Sequence, residues 1–347
     1  MVGIGWRWYF CWSNTNTNVM GVVIEGYGNY QPDTFLDNNQ IIKENGLDSS
    51  DEWIRENLGI QRRAWAKPEL RLSDLAYEAS KKALLVAGVG PDSLSKIILG
   101  TSTADHTNVS SAAKVQFLLG AACPAFDIVS ACASYIFALD TAINNLKTEK
   151  DRILCIGADV KSRFVNKNDR KFLPIFGDGG GALVLAKREG TGGFSDVHLW
   201  TDGSYYEEML NPAGGSAMPA TLETVQKGLH ATRMKKDGKM VTTQAAEFMA
   251  KMALEVCQLN SISIEDIDYI IPHHANGVIM NLILKNLGLP KEKLFSTIAH
   301  TGNLVSGSLP FALCNLLDHN LRKGSKVLLV TLGAGVSGGS VIYEIPE

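Results

Sequence analysis

AFDIVSACASYIFALD, residues 125–140, is the stretch on which the fold turns. AFDIV is a short apolar run of the kind that forms a buried strand, and it ends at Ser130. From about Cys132 the apolar positions continue at helical spacing, so a helix follows with almost no loop between. A strand passing directly into a helix is the joint of an α/β protein. It also puts the Cys132 thiol at a helix start, where unpaired N–H groups and the helix dipole favour an anion. A thiol so placed is expected below its ordinary pKa, which makes Cys132 a candidate nucleophile. The alternative is a small hydrophobe packed in the core.

Working outward, the same alternation fills the chain. Strands are expected at 22–24, 96–100, 125–129, 153–157, 182–186, 267–271, 327–332 and 340–345. Helices are expected at 73–87, 111–119, 133–146, 243–257, 277–287 and 309–321, the fifth closed by Gly288 and Pro290. Three pairs of segments recur in the same order. DSLSKIILGTST from Asp92 resembles EDIDYIIPHHAN from Glu265, DRILCIGADV from Asp151 resembles GSKVLLVTLGAG from Gly324, and GDGGGALVLAK from Gly177 resembles GVSGGSVIYEI from Gly335. Duplicated strand–helix halves packed back to back make a layered α/β sandwich. The division expected is an extension at 1–19, one half at 20–190 carrying Cys132, and a second at 191–347. The poorly patterned stretch from about 202 to 238 has the character of a lid or substrate-binding segment.

The 347 residues are 45% hydrophobic and 20% charged, as in a soluble globular enzyme. A formal net charge of −3 offers no basic stripe for nucleic acid. The six cysteines form no C-x-x-C pair and no metal-binding spacing, and they read as free thiols of a reducing, cytoplasmic compartment. The aromatic opening, MVGIGWRWYFCWSNTNTN, is too short in its apolar run to span a membrane and lacks a small-residue cleavage site. It reads as an extension before Met20, or as an aromatic arm for a neighbouring surface.

Two more segments can carry chemistry. In DYIIPHHANG, His273 and His274 follow an apolar strand, at the carboxyl end where ligand sites of α/β sheets gather. Of the two, His273 is the better catalytic candidate, with His274 at the start of the next helix. In STIAHTGNLVSGSLP, Asn303 can donate a hydrogen bond without titrating, which suits an oxyanion. FGDGGGALVL from Phe176 runs into a strand, not from a strand into a helix, so it is not a nucleotide-binding fingerprint. Its glycines suit close backbone packing. LGAGVSGGS from Leu332 can present backbone N–H donors.

Together DEWIRENLGIQRR from Asp51, PAFDIVSACAS from Pro124, FGDGGGALVL, IIPHHAN, HTGNLVSGSLP and LGAGVSGGS resemble β-ketoacyl-acyl-carrier-protein synthase III. The resemblance runs from Met20 onward. It implies the thiolase fold, a five-layer αβαβα sandwich, and a homodimer. It also implies a catalytic Cys132–His273–Asn303 triad and an oxyanion hole made by the backbone N–H groups of Cys132 and Ala334. Acyl-CoA and a malonyl thioester on acyl carrier protein would be substrates, with no cofactor and no metal. Trp53, Arg170 and Asn276 are implied in CoA binding, and Lys285 in docking the carrier protein.

Several positions depart from that pattern. Asn57 and Val278 stand where arginines are usual, PHHAN replaces PHQAN, and GNL replaces GNT. These changes favour a specialised pathway over housekeeping initiation. A small residue in the Val109 region would admit a longer or branched primer. The competing readings are an acyltransferase of the same fold with another acceptor, and a non-catalytic partner subunit, against which an intact Cys132 argues. A papain-like protease also uses Cys, His and Asn, but the duplication speaks for another fold.

Overall fold

Each strand alternates between two buried faces, and that alternation builds the layers. In a computed structural model, which describes residues 20–235 and 238–347, one sheet runs in the order Met20–Tyr30, Asp178–Glu189, Arg152–Val160, Lys96–Gly100, Ala125–Ile128. Lys96–Gly100 is parallel to both its neighbours, and Asp178–Glu189 is antiparallel to both of its own. The extension at 1–19 lies outside the described residues.

The second sheet repeats this plan. Tyr269–Pro272 is parallel to Lys326–Gly333, which is antiparallel to Ser337–Glu344. Gly193–Phe194 and His198–Thr201 then line the far side of Ser337–Glu344. All three recurrent sequence pairs therefore occupy equivalent strands. The counterpart of Ala125–Ile128 is reduced to one parallel bridge between Ile270 and Leu294.

Side-chain direction then fixes five layers. Ile153 and Cys155 face inward onto the helices Ser134–Asn145 and Ser308–Leu317, which lie between the sheets. Val327, Leu329 and Val341 reach the same helices from the second sheet. Leu154 and Ile156 point the other way, onto Leu72–Ala87 and Ser111–Leu119. Leu328, Val330 and Ile342 cover Gly238–Leu259 and Gly277–Leu287 on the opposite outside. The order is αβαβα, as the resemblance implies. Side chains like these each contribute roughly 1.5–3 kcal/mol on burial, so the two-faced strands are the main source of cohesion.

The central helices approach the sheet closely because the glycine run allows it. A Cβ on Gly181 would lie 2.6 Å from the carbonyl carbon of Pro310. Local differences from the sequence reading are small. The helix expected to reach residue 321 ends at Leu317. The stretch after 202 carries a short helix, Leu222–Gln226, and a ribbon pairing Met209–Leu210 with Arg233–Met234.

Candidate active site

Three connections meet between the two sheets. The first carries Cys132. The strand before it stops at Ile128, a tight turn of 3-10 form spans Ala131–Ala133, and the α-helix proper begins at Ser134. Ser134 ties the turn: its hydroxyl accepts from the Ser130 N–H at 2.8 Å and donates to the Ala131 carbonyl at 2.7 Å. Ala131 is held at φ 48°, a left-handed conformation that costs a non-glycine residue of order 1–3 kcal/mol. The backbone thus bends sharply just before the nucleophile candidate.

The second connection carries His273. Its N–H donates to the Val330 carbonyl at 2.8 Å, extending the parallel pairing one residue beyond Pro272. The third carries Asn303, whose N–H donates to the Ile175 carbonyl at 2.8 Å. The Asn303 side-chain oxygen accepts from the Val305 N–H at 2.7 Å, and Val305 is at φ 55°. With its oxygen occupied, the amide NH₂ is the end left to face a substrate.

The turn at Cys132 packs on both the Lys326–Gly333 strand and the Val305–Gly307 turn. The Thr331 hydroxyl donates to the Cys132 carbonyl at 3.3 Å. A Cβ on Gly333 would come within 2.9 Å of the Cys132 nitrogen, so only glycine fits there. Ala334 follows in the turn leading to Ser337–Glu344. The structure therefore brings the segments bearing Cys132, His273, Asn303 and Ala334 to one place.

Asp159 joins the halves and escaped the sequence reading. Its buried carboxylate accepts from the hydroxyls of Thr101 at 3.1 Å, Ser102 at 3.0 Å and Thr103 at 2.7 Å, and from the Ser102 N–H at 2.8 Å. It also accepts from the Ser306 N–H at 2.9 Å and from the Ser306 hydroxyl. One carboxylate thereby locks the end of the first sheet to the turn after Asn303. The only visible signal was an acid inside the apolar run RILCIGADV.

The thiol expectation needs correcting. Burial pushes the Cys132 thiol up to about 12, and Asp159 adds to the rise while Lys161 opposes it. Desolvation of the sulfur outweighs the helix start. His274 is corrected too, because it lies fully buried ahead of the helix, whose cap is Asn276. Burial takes His273 down to about 4 and His274 to about 3, so both are neutral near pH 7. The sign of the consequence is clear. Their folded-state values lie below the ordinary 6.5, so stability is complete above about pH 6.5 and drains away as pH falls towards 4. Each contributes a slope of about 1.4 kcal/mol per pH unit within that window. His274→Gln is expected to flatten the fall of Tm between pH 6.5 and 4. A variant whose Tm falls as steeply as the parent's refutes this.

Comparison with known proteins agrees with the fold. Family models described as 3-oxoacyl-[acyl-carrier-protein (ACP)] synthase III and its C-terminal part match residues 126–203 and 257–345. A β-ketoacyl-[acyl-carrier-protein] synthase III of Syntrophomonas wolfei is 37% identical over 94% of this chain and 98% of its own. The chain belongs to the β-ketoacyl-[acyl-carrier-protein] synthase III family. The crystal structure of the Aquifex aeolicus 3-oxoacyl-[acyl-carrier-protein] synthase III superposes with a TM-score of 0.84 at 33% identity, covering 93% of this chain and all of that one. The priming β-ketosynthase of the R1128 polyketide pathway superposes at 0.85 with 25% identity, covering 94% and 97%.

The synthase's remaining expected residues are more scattered. Trp53 is 38% exposed on the helix Asp51–Leu58, so it is not a core residue. Arg170 donates to the Asp48 carbonyl at 2.9 Å and pairs with its carboxylate at 3.3 Å, close in sequence to Trp53. Asn276 caps the helix Gly277–Leu287, its side-chain oxygen accepting from the Ile279 N–H at 2.9 Å. Lys285 is exposed in that helix's last turn. Val109 is 57% exposed, so within one chain it does not narrow a pocket around Cys132. Among the described residues no group of three or more His, Cys, Asp or Glu is placed to hold a metal, and no helix is long and apolar enough to cross a membrane.

Proposed function

We propose that this synthase joins an acyl-CoA primer to a malonyl thioester on acyl carrier protein, by decarboxylative Claisen condensation. The Cys132 sulfur attacks the primer carbonyl, a new thioester forms, and CoA leaves as its thiol. The malonyl group then loses CO₂, and the electron pair of the broken bond passes to the α-carbon. Negative charge gathers on the malonyl thioester oxygen, where His273 and the Asn303 amide donate hydrogen bonds. A neutral imidazole suits that role, because it carries one N–H without bringing a charge into a buried site. The α-carbon attacks the acyl-Cys132 carbonyl, whose developing oxyanion meets the N–H groups of Cys132 and Ala334. Cys132 leaves as the new carbon–carbon bond forms.

The convergence of the Cys132 turn with the segments after Pro272 and around Asn303 carries this reading. The exposure of Trp53, and the pairing of Arg170 with Asp48 five residues before it, support a role for these two residues at the CoA end, with Asn276 as a third contact. Exposed Lys285 and Lys291 offer the basic surface that an acidic carrier helix needs. Val278, exposed at 39%, supplies no charge there, which fits a specialised carrier or pathway. A homodimer is supported by the outer edge of Ala125–Ile128, which pairs with no further strand among the described residues, and by Phe117 and Val129, exposed at 71% and 72%. Sedimentation at the mass of a single chain would contradict it.

The deciding experiment incubates intact protein with acyl-CoAs of increasing length, then with malonyl carrier protein. One acyl mass on the chain, followed by CO₂ release and a β-ketoacyl product, is expected. Acyl transfer to another acceptor without CO₂ would select the non-decarboxylating acyltransferase instead.

A further inference from the structure

The turn after Asn303 is strained, and part of what holds it lies on another element. Val305 sits at φ 55°, a left-handed conformation that is an outlier for a β-branched side chain. Such a residue stays there only while its surroundings hold it. Two successive N–H groups are captured. That of Val305 donates to the Asn303 side-chain oxygen at 2.7 Å, and that of Ser306 donates to Asp159 Oδ2 at 2.9 Å. The first bond lies within the turn and moves with it. The second anchors the turn to the end of the strand Arg152–Val160.

Asp159 is fully buried, and its two oxygens serve two places. Oδ1 accepts from the Ser102 N–H and from the hydroxyls of Thr101, Ser102 and Thr103. The Thr101 N–H in turn donates to the Ile128 carbonyl at 3.1 Å, where the strand that enters the Cys132 turn ends. Oδ2 takes the Ser306 N–H and hydroxyl. One carboxylate thus links the approach to Cys132 with the turn that carries Asn303. We propose that Asp159 is a positioning residue that sets the Asn303 amide against the Cys132 turn by holding the Ser306 N–H. This rests on the reading of Asn303 as a donor to the malonyl oxygen. Without the anchor Val305 relaxes out of its left-handed conformation, and Asn303, bonded to it through the side-chain oxygen, moves with it. Asp159 acts through Ser306 and Val305, not on a reacting atom.

Asp159→Asn tests this because its effect is one-sided. The carboxamide keeps a single acceptor oxygen. The Thr101 and Thr103 hydroxyls already accept from the N–H groups of Thr103 and Val160, at 3.1 and 2.9 Å, so they go on donating and hold that oxygen on the Oδ1 side. The new NH₂ then faces the Ser306 N–H, donor against donor. The Ser306 hydroxyl can turn to the Gly100 carbonyl at 2.9 Å, but its N–H has no such choice. CO₂ release from the malonyl thioester is expected to fall about 10²-fold, as for a group displaced by about 1 Å. Acylation of Cys132 is expected to stay within a few-fold of the parent. Hydrogen exchange in the peptide covering 303–307 is expected to quicken about tenfold or more. Asp159→Ser, too short to bridge both places, serves if the asparagine variant does not fold. Ile283→Ala, in the buried cluster under the outer helices, is the control: it is expected to lower Tm without separating the two half-reactions. Parental CO₂ release or parental exchange in the Asp159 variant overturns the proposal. So does an equal loss of both half-reactions, or the same separation in the Ile283 variant, because general loosening then accounts for it. If the parent itself releases no CO₂ while the Asp159 variant still loosens the peptide, the function fails and the anchoring of the turn stands.

Discussion

Cys132→Ser abolishes the acyl-enzyme: intact mass after incubation with a primer thioester is expected to show no adduct, and condensation to fall by about four orders of magnitude or more. That corresponds to roughly 5 kcal/mol of lost transition-state stabilisation. The size follows from the environment. Burial already pushes the thiol up to about 12, so the site pays heavily for any anion at this position. A hydroxyl starts several pH units further from ionisation and is the weaker nucleophile. The fold should not register the change, because the turn is held by Ser134, Thr331 and Gly333 through backbone atoms and not by the sulfur. Tm is expected to stay near the parent's. Cys132→Ala separates the half-reactions further. It removes acylation altogether yet leaves the His273 and Asn303 donors in place, so CO₂ release from the malonyl thioester is expected to survive. A serine or alanine variant that still acquires the acyl mass would remove Cys132 from the chemistry.

The layered fold was legible because its signals are local and repeated. Ile153 and Cys155 alternate with Leu154 and Ile156, and Val327 and Leu329 alternate with Leu328 and Val330. Runs of this kind can only be strands covered on both faces. The three recurrent segment pairs then assigned the strands to two equivalent sheets. The candidate site was legible as three segments, since polar residues at strand exits stand out against apolar runs. Its electrostatics and strain were not. No rule of residue type predicts an alanine at φ 48° or a valine at φ 55°, because each is imposed by tertiary hydrogen bonds and packing around it. The thiol was misjudged for a related reason. Helix position can be read along the chain, whereas desolvation depends on what distant segments place around the sulfur. Nothing along the chain in GADVKSRF marks Lys161, and only the tertiary fold brings its ammonium to 5.8 Å from the centroid of the Phe176 ring.

The strain at Val305 makes Asn303 the place where structure and catalysis can be tested apart. The residue has two jobs on two atoms. Its oxygen accepts from the Val305 N–H and so holds the left-handed turn that also positions Ser306 against Asp159. Its NH₂ is the group proposed to meet the malonyl oxygen. Asn303→Asp keeps an acceptor for Val305 but replaces the donor with a second, negative oxygen, which repels the developing enolate. Loss of one such donor typically costs about 2.7–4 kcal/mol. CO₂ release is therefore expected to drop by about 10²–10³, while acylation of Cys132, which uses the other donor set, stays within a few-fold. Asn303→Ala loses both jobs. It should show the same drop in CO₂ release together with a lower Tm, because a buried N–H left unpaired costs about 1–3 kcal/mol. The pattern across the two variants matters more than either value. If the aspartate variant releases CO₂ at the parental rate, Asn303 only shapes the turn. If it loses acylation and CO₂ release equally, the two half-reactions share a donor, and the division of labour between the Cys132–Ala334 and His273–Asn303 groups is wrong.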